Sequence, residues 1–239
     1  MTSKRLFSVL LATLLSAAAT TGAPALLAQS QPAPALWSDA PASKKAITLP
    51  LPRLRWGMSS EQIAKELDRI LEKDYRPLLK KATGVERASL VEELENKKGE
   101  IRRSRMDFGN VPTALDATKY RGEYSYNSGE SVATFTYQGE KFLFFFVQDK
   151  LWKVMVESKF EGTPALGKSF AEAVSKLGKK YGMGRTIPAD FDAGRWASEV
   201  DWKDKVTHLR AIDIGESALL LAYEDIQTLR NLGTLRAKH

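Results

Sequence analysis

Two stretches of this chain start a helix in the same way, and each is followed by segments that alternate with a period of two. Gly57-Met58-Ser59-Ser60-Glu61-Gln62 precedes Ile63, Leu67, Ile70 and Leu71, while Gly167-Lys168-Ser169-Phe170-Ala171-Glu172 precedes Ala173, Val174 and Leu177. In both, a serine is placed to cap free helix amides, with an acid or amide three residues on in the capping-box position. Of the two, the Ser169/Glu172 box looks the more complete. The apolar spacing that follows is that of an amphipathic helix. Pro77 ends or kinks the first helix or begins a new one. A second helical pattern, Val85 to about Arg105, makes an N-terminal αα-hairpin with it, with Val91, Leu94, Lys98 and Ile101 on one face.

From Tyr120 the period becomes two. Strands are predicted over Tyr120–Tyr126, Ser131–Tyr137, Lys141–Gln148 and Leu151–Lys159, joined by turns at Asn127-Ser128-Gly129, Gln138-Gly139 and Asp149-Lys150. Such short connections make an antiparallel meander. Phe142–Val147 does not alternate, the mark of a strand covered on both faces. After the helix from Ser169 to about Tyr181 and a polar loop over Gly182–Gly194, strands are predicted at Arg195–Trp202, Val206–Asp213 and Ser217–Tyr223, then a short helix over Glu224–Leu232. The fold class expected is α+β, helices packed on antiparallel meanders, as two tandem helix-plus-sheet units over 55–162 and 163–239.

The N-terminus reads as a signal peptide over 1–25. Lys4 and Arg5 precede a stretch of about 14 apolar or small residues, then small residues such as Ala23-Pro24-Ala25. That stretch falls short of the ~20 residues a spanning helix needs. Residues 26–54, rich in Ala, Pro and Ser, read as a flexible linker. The expected location is periplasmic or secreted. The chain has no cysteine, which excludes disulfides, Cys-ligated metal and a Cys nucleophile.

Net charge is +7, or +5 once Lys4 and Arg5 leave with the signal. Export puts cytosolic nucleic acid out of reach, so a basic surface would meet lipid headgroups or acidic proteins. Lys97, Lys98, Arg102, Arg103 and Arg105 are the candidate anion contacts, although neighbouring glutamates also explain them as a solvated helix face. Peripheral membrane contact follows only from that segment.

Catalytic candidates are sparse. His208 lies in a strand without an evident partner, and His239 is terminal. Asp190, Asp192, Asp201 and Asp204 supply the carboxylates that glycoside hydrolysis would need, yet turn chemistry accounts for them as well. The segment at Ser59 is no nucleophile elbow, because Glu61 stands where a glycine is required. No catalytic, metal or cofactor-binding residue is assigned, and no cofactor is expected. Tyr124, Tyr126 and Trp196 stand open between interface and core, whereas Trp152 and Trp202 are expected in the core.

Trp56-Gly57-Met58-Ser59 with Ile63 and Leu67, Gly167-Lys168-Ser169 with Val174, Leu177 and Gly182, and the hairpin Phe144–Val154 resemble the SmpA/OmlA-type outer-membrane-assembly lipoproteins. They are also similar to the fold of β-lactamase inhibitor proteins, which carry such units in tandem. The resemblance implies a non-enzymatic binding module, although the lipid-anchor cysteine is absent. The function expected is an exported binding or scaffold protein of the bacterial envelope, engaging another protein. The alternatives are an envelope hydrolase using loop carboxylates and a binder of anionic surfaces.

Overall fold

The computed structural model describes residues 36–161, 165–192, 195–215 and 217–237. The signal-peptide reading over 1–25 and the terminal His239 fall outside these residues. Helices α1 (Ser60–Lys81), α2 (Gly84–Arg103), α3 (Phe170–Tyr181) and α4 (Ile226–Arg236) accompany eight strands. These are β1 (Met106–Asp107), β2 (Glu130–Tyr137), β3 (Glu140–Val147), β4 (Lys150–Lys159), β5 (Arg185–Ile187), β6 (Glu199–Lys203), β7 (Thr207–Asp213) and β8 (Ala218–Asp225). All pairs are antiparallel, in the order β1-β2-β3-β4-β8-β7-β6-β5. The fold is α+β, as expected. The strands form one continuous sheet rather than two, because β4 pairs β8 along seven residues from Lys153↔Glu224 to Lys159↔Ala218. The edges are the two shortest strands, which limits the unpaired backbone they offer.

Each face of the sheet carries its own core. On the first, Phe135, Phe142, Phe144, Val154, Trp202, Leu209 and Leu221 meet α1 through Ile63, Leu67 and Leu71 and α3 through Ala173 and Leu177. On the second, Val132, Phe145, Met155, Leu220 and Ile212 lie with Phe108, Tyr120, Tyr124 and Leu232 of α4. The phenylalanine-rich β3 is therefore covered on both sides. A bulge opposite Phe145/Phe146 leaves Trp152 as the extra residue of β4. It turns Trp152 onto the second face, where the Lys153 ammonium sits 4.4 Å from its ring.

Four sequence expectations are corrected. The Ser59 cap is the complete box: Ser59 Oγ accepts from Gln62 N at 3.2 Å and Gln62 Oε1 from Ser59 N at 2.9 Å. At the second start, Glu172 N donates to Ser169 Oγ, but the Glu172 carboxylate accepts from Lys168 N instead of Ser169 N. The turn at Gly167, with φ of +98°, brings Glu172 under that glycine and one residue out of the box. Pro77 does not end α1. It and Lys73, whose carbonyl loses its helical donor, are both exposed, so that acceptor is left open to solvent rather than buried.

Tyr120–Tyr126 is not a strand but a run of turns, with Gly122 at φ +84°. The first strand of the meander is the two-residue β1. Tyr hydroxyls explain the failure: those of Tyr124 and Tyr126 donate to Asp116 at 2.8 and 2.6 Å, and that of Tyr120 to Glu157 at 2.5 Å. These bonds hold the aromatic spacing in a loop.

Residues 36–54 are not a loose tether. Residues 41–43 lie alongside Lys203, with Ser43 N donating to Lys203 O at 2.7 Å and Lys203 N to Pro41 O at 2.9 Å. Ile47, Leu51 and Leu54 are buried against the first face. The prolines that rule out helix leave a strap that buries apolar side chains without regular structure.

Candidate functional site

Charged residues in the central strands converge on the second face. Lys153 (β4), Glu224 (β8), His208 and Arg210 (β7), Glu199 and Asp201 (β6) and Arg185 (β5) all point there. They sit in cross-strand register: Lys153↔Glu224, His208↔Glu224, Asp201↔Arg210 and Arg185↔Asp201. Period-two geometry on antiparallel neighbours therefore puts opposite charges side by side. Glu123, from the turns after Tyr120, completes the set from above.

Arg210 is the hub. Its guanidinium contacts Glu123 at 2.6 Å, Glu224 at 3.0 and 3.2 Å, and Glu199 at 3.2 Å. Lys153 Nζ donates to both the carboxylate and the carbonyl of Glu123 at 2.6 Å and lies 3.6 Å from Glu224. Burial disfavours the charge on Arg210, but the three surrounding carboxylates hold its pKa well above the usual value. Burial also works against Glu224 and Glu123, and the Arg210 charge, helped by Lys153, keeps both below the ordinary carboxylate range. Glu199 goes the other way. Burial, with the repulsion of Glu123 and Glu224, pushes it up against the pull of Arg210.

His208 stands between two acids. Its Nδ1 is 2.9 Å from Glu224 Oε2 and its Nε2 is 3.2 Å from Asp201 Oδ2. Only the doubly protonated ring satisfies both. Burial opposes that charge, yet the hydrogen bonds to Asp201 and Glu224 outweigh it and raise the pKa above 6.5. Asp201, fully buried, also takes the Arg185 fork, at 2.5 Å through Nη2 and 3.2 Å through Nε. Burial alone would raise it; the bonds from His208 and Arg185 leave it lowered. An imidazolium with both N–H groups engaged has no lone pair to act as a base. What the network can do is bind the two halves of the sheet together and answer to pH.

The sign of that response is fixed by the shifts. The His208 contribution is fully present below its unfolded pKa and is lost as pH rises through the raised folded value. The Asp201, Glu123 and Glu224 contributions are present above the unfolded carboxylate values and fade as pH falls through the lowered ones. Urea denaturation of the wild type should show a loss of stability as pH rises above about 6.5. His208→Gln, which keeps a polar group and cannot titrate, should be less stable at low pH and lack that loss. Parallel curves for the two proteins would contradict the assignment.

The other sequence candidates separate from this network. Asp190 faces Arg195 at 2.9 Å within its own loop, and Asp192 is exposed beside it. Only Asp201 and His208 are brought together, and both are buried. Asp204 accepts from the backbone of Ile47, Val206 and Thr207, the turn role expected of it.

Tyr124, open between interface and core in the sequence, is buried and stacks on Phe108 with centroids 3.9 Å apart, which takes it out of the candidate binding surface. Tyr126 and Trp196 are half-buried and packed on the second core. Trp152 and Trp202 are core residues, as expected.

The basic segment is internally paired. Lys97 meets Glu93, Lys98 meets Glu72 and Glu95, and Arg102 meets Glu61 and Asp68. Arg103 donates to Asn96 O, and Arg105 reaches Asp149 and Ser60. Lys97, Lys98 and Arg102 thus spend their charge within the hairpin and Arg105 on the β3–β4 turn and Asp107, while Arg103 reaches a backbone carbonyl only.

Sequence reasoning missed Glu123, Lys153, Arg185, Glu199, Arg210 and Glu224. The available signal was charge at core-facing positions of apolar strands, as in Leu151-Trp152-Lys153-Val154-Met155. Among the described residues, no group of three His, Cys, Asp or Glu is placed to hold a metal, and no helix is long and apolar enough to cross a membrane. No protein-family model matches the chain, and neither curated proteins nor solved structures give a match.

Proposed function

We propose that this chain is an exported, non-enzymatic binding or scaffold protein of the bacterial envelope, engaging another protein through the free end of its α1–α2 hairpin. The observation that carries the proposal is that three apolar side chains at this end stand out to solvent, although Ala82 is buried and Leu79 and Leu90 still pack on the first core. The last buried residue of α1 is Tyr75 and the first of α2 is Leu94. Residues 83–89 are all exposed, and Leu78, Val85 and Val91 are 49%, 87% and 43% exposed. Most helical stability comes from burying an apolar face, and in the first half of α2 only Leu90 is partly covered, while Val85 and Val91 are exposed.

The shallow groove along α2 has Leu90 in its lining with Glu86, Glu92, Glu93 and Glu100, four acids against the two bases Lys97 and Arg103. Its complement is a partner face with an apolar centre and a basic rim. Lys4 and Arg5 before the apolar segment support export, cleavage and a periplasmic or secreted location. The enzyme alternative is disfavoured because the carboxylates and histidine it would use are either saturated in the buried network or left apart in a loop.

The strand order also supports a duplicated origin. A capped helix and four strands occur on each side of β4/β8, in mirrored order, as a two-fold axis between those strands would produce. This is in keeping with the resemblance to tandem SmpA/OmlA-like units.

Affinity capture from envelope extract tests the proposal. The mature protein should retain a discrete partner, and Val85→Glu/Val91→Glu, changed only at exposed positions, should retain at least about tenfold less. That loss corresponds to about 1.4 kcal/mol of binding energy. Equal recovery by both would contradict it.

A further inference from the structure

The positive charge of this chain has an outlet that the segment 97–105 does not provide. Three separate segments meet at the end of the sheet where α3 stops. Lys44 N donates to Tyr181 O at 2.8 Å, and a Cβ on Gly182 would lie 3.3 Å from Lys44 Cγ, so the strap lies against the last turn of α3. Ser43 N donates to Lys203 O at 2.7 Å and Ile47 N to Asp204 Oδ2 at 2.6 Å, so the same strap also lies against the β6–β7 turn. Lys44 and Lys45 of the strap, Lys179 and Lys180 of α3 and Lys205 of the turn are all exposed. Among the described residues none of these five forms an ion pair. The nearby carboxylate of the turn, Asp204, is occupied by three backbone N–H groups, while Asp39 of the strap faces Arg185 and Glu172 lies at the opposite end of α3.

Favourable placement at a helix C-terminus accounts for Lys179 and Lys180. It does not account for Lys44, Lys45 and Lys205, which come from elsewhere in the chain to the same place. Two apolar side chains stand out to solvent among these lysines. Met183, directly after Gly182, is 90% exposed, and Val206, directly after Lys205, is 54% exposed.

We infer that this end of the molecule is a docking surface for an anionic lipid membrane. Lysines sit at the headgroup phosphates and Met183 and Val206 enter the headgroup–acyl boundary. Clustered lysines alone fit any acidic partner. The exposed Met183 and Val206 between them favour a bilayer, whose surface offers negative charge and an apolar layer a few ångströms beneath it. The surface is independent of the hairpin end proposed for a protein partner, so the two readings stand or fall separately.

Vesicle co-sedimentation of the protein purified after export tests the inference. Binding is expected to vesicles rich in phosphatidylglycerol and not to phosphatidylcholine alone, and to fall steeply between about 0.1 and 0.5 M salt as screening shortens. Lys44→Gln/Lys180→Gln should weaken binding at least about tenfold, because each lysine near an anionic surface contributes severalfold. Met183→Ser/Val206→Ser should weaken it further at constant charge, whereas Lys97→Gln/Arg103→Gln should leave it unchanged. Equal binding to neutral vesicles, no binding at low salt, or indifference to the Lys44/Lys180 pair would overturn it. So would lysine-dependent capture of an acidic protein without any vesicle binding.

Discussion

Arg210→Met is expected to cost about 3–5 kcal/mol of folding stability, the range for removing one partner of a buried charge network. Typical domains hold only about 5–15 kcal/mol in total. Arg210 touches Glu123, Glu199 and Glu224 at once. Without it Lys153, His208 and Arg185 remain as the local cations for Glu123, Glu199, Glu224 and Asp201, one short of the four acids. The stranded carboxylates would then be driven to take up protons, so their folded pKa values rise. An acid whose folded pKa exceeds its unfolded one destabilises as pH rises above the unfolded value. The gap between variant and wild type should therefore narrow towards about pH 4 and widen at neutral pH. Arg210→Lys, with a point charge and no fork, should fall between them. Urea denaturation across pH measures this. A loss under about 1 kcal/mol, or one that does not change with pH, would show that the network is not held by Arg210.

Trp202→Ala is expected to be comparably damaging, about 3–5 kcal/mol, but with no dependence on pH. The indole is fully buried on the opposite face, 6.4 Å from the Tyr181 ring, and its Nε1 donates to Gly182 O at 2.8 Å. Gly184 is pressed so closely on it that a Cβ there would come within 2.7 Å of the ring. Truncation opens a cavity and leaves the buried Gly182 carbonyl without its donor. Trp202→Phe keeps most of the volume and loses the hydrogen bond, so it should cost nearer 1 kcal/mol. Thermal denaturation of the three proteins separates packing from the bond. Similar melting for Trp202→Ala and wild type would contradict the core assignment.

Local features of this chain were legible because their causes are local. Ser59 and Ser169 cap helices through residues three positions on, and β2 follows from alternation, β3 from its apolar run and β4 from the short turn that joins it to β3. The unbroken apolar run of β3 correctly implied cover on both faces. Long-range features were not legible. Nothing near Val154 or Tyr223 announces that β4 pairs β8, yet that pairing fuses the two predicted sheets into one. The same pairing sets Lys153 opposite Glu224, so the ion network became visible only with the register. The strap at 41–54 was masked by its prolines, which exclude regular structure without excluding burial. Tyr124 and Tyr126 misled because aromatic spacing of two matches a strand, while their hydroxyls are held by Asp116 in a loop.

The claim that matters most is that the hairpin end meets a protein in the envelope. Photo-crosslinking in intact cells tests it most directly, with a photoreactive residue replacing Val85 in one strain and Ala171, exposed at the start of α3, in another. A discrete crosslinked species from position 85, absent from position 171, is the result expected. No crosslink at 85, or the same species from both positions, would contradict it.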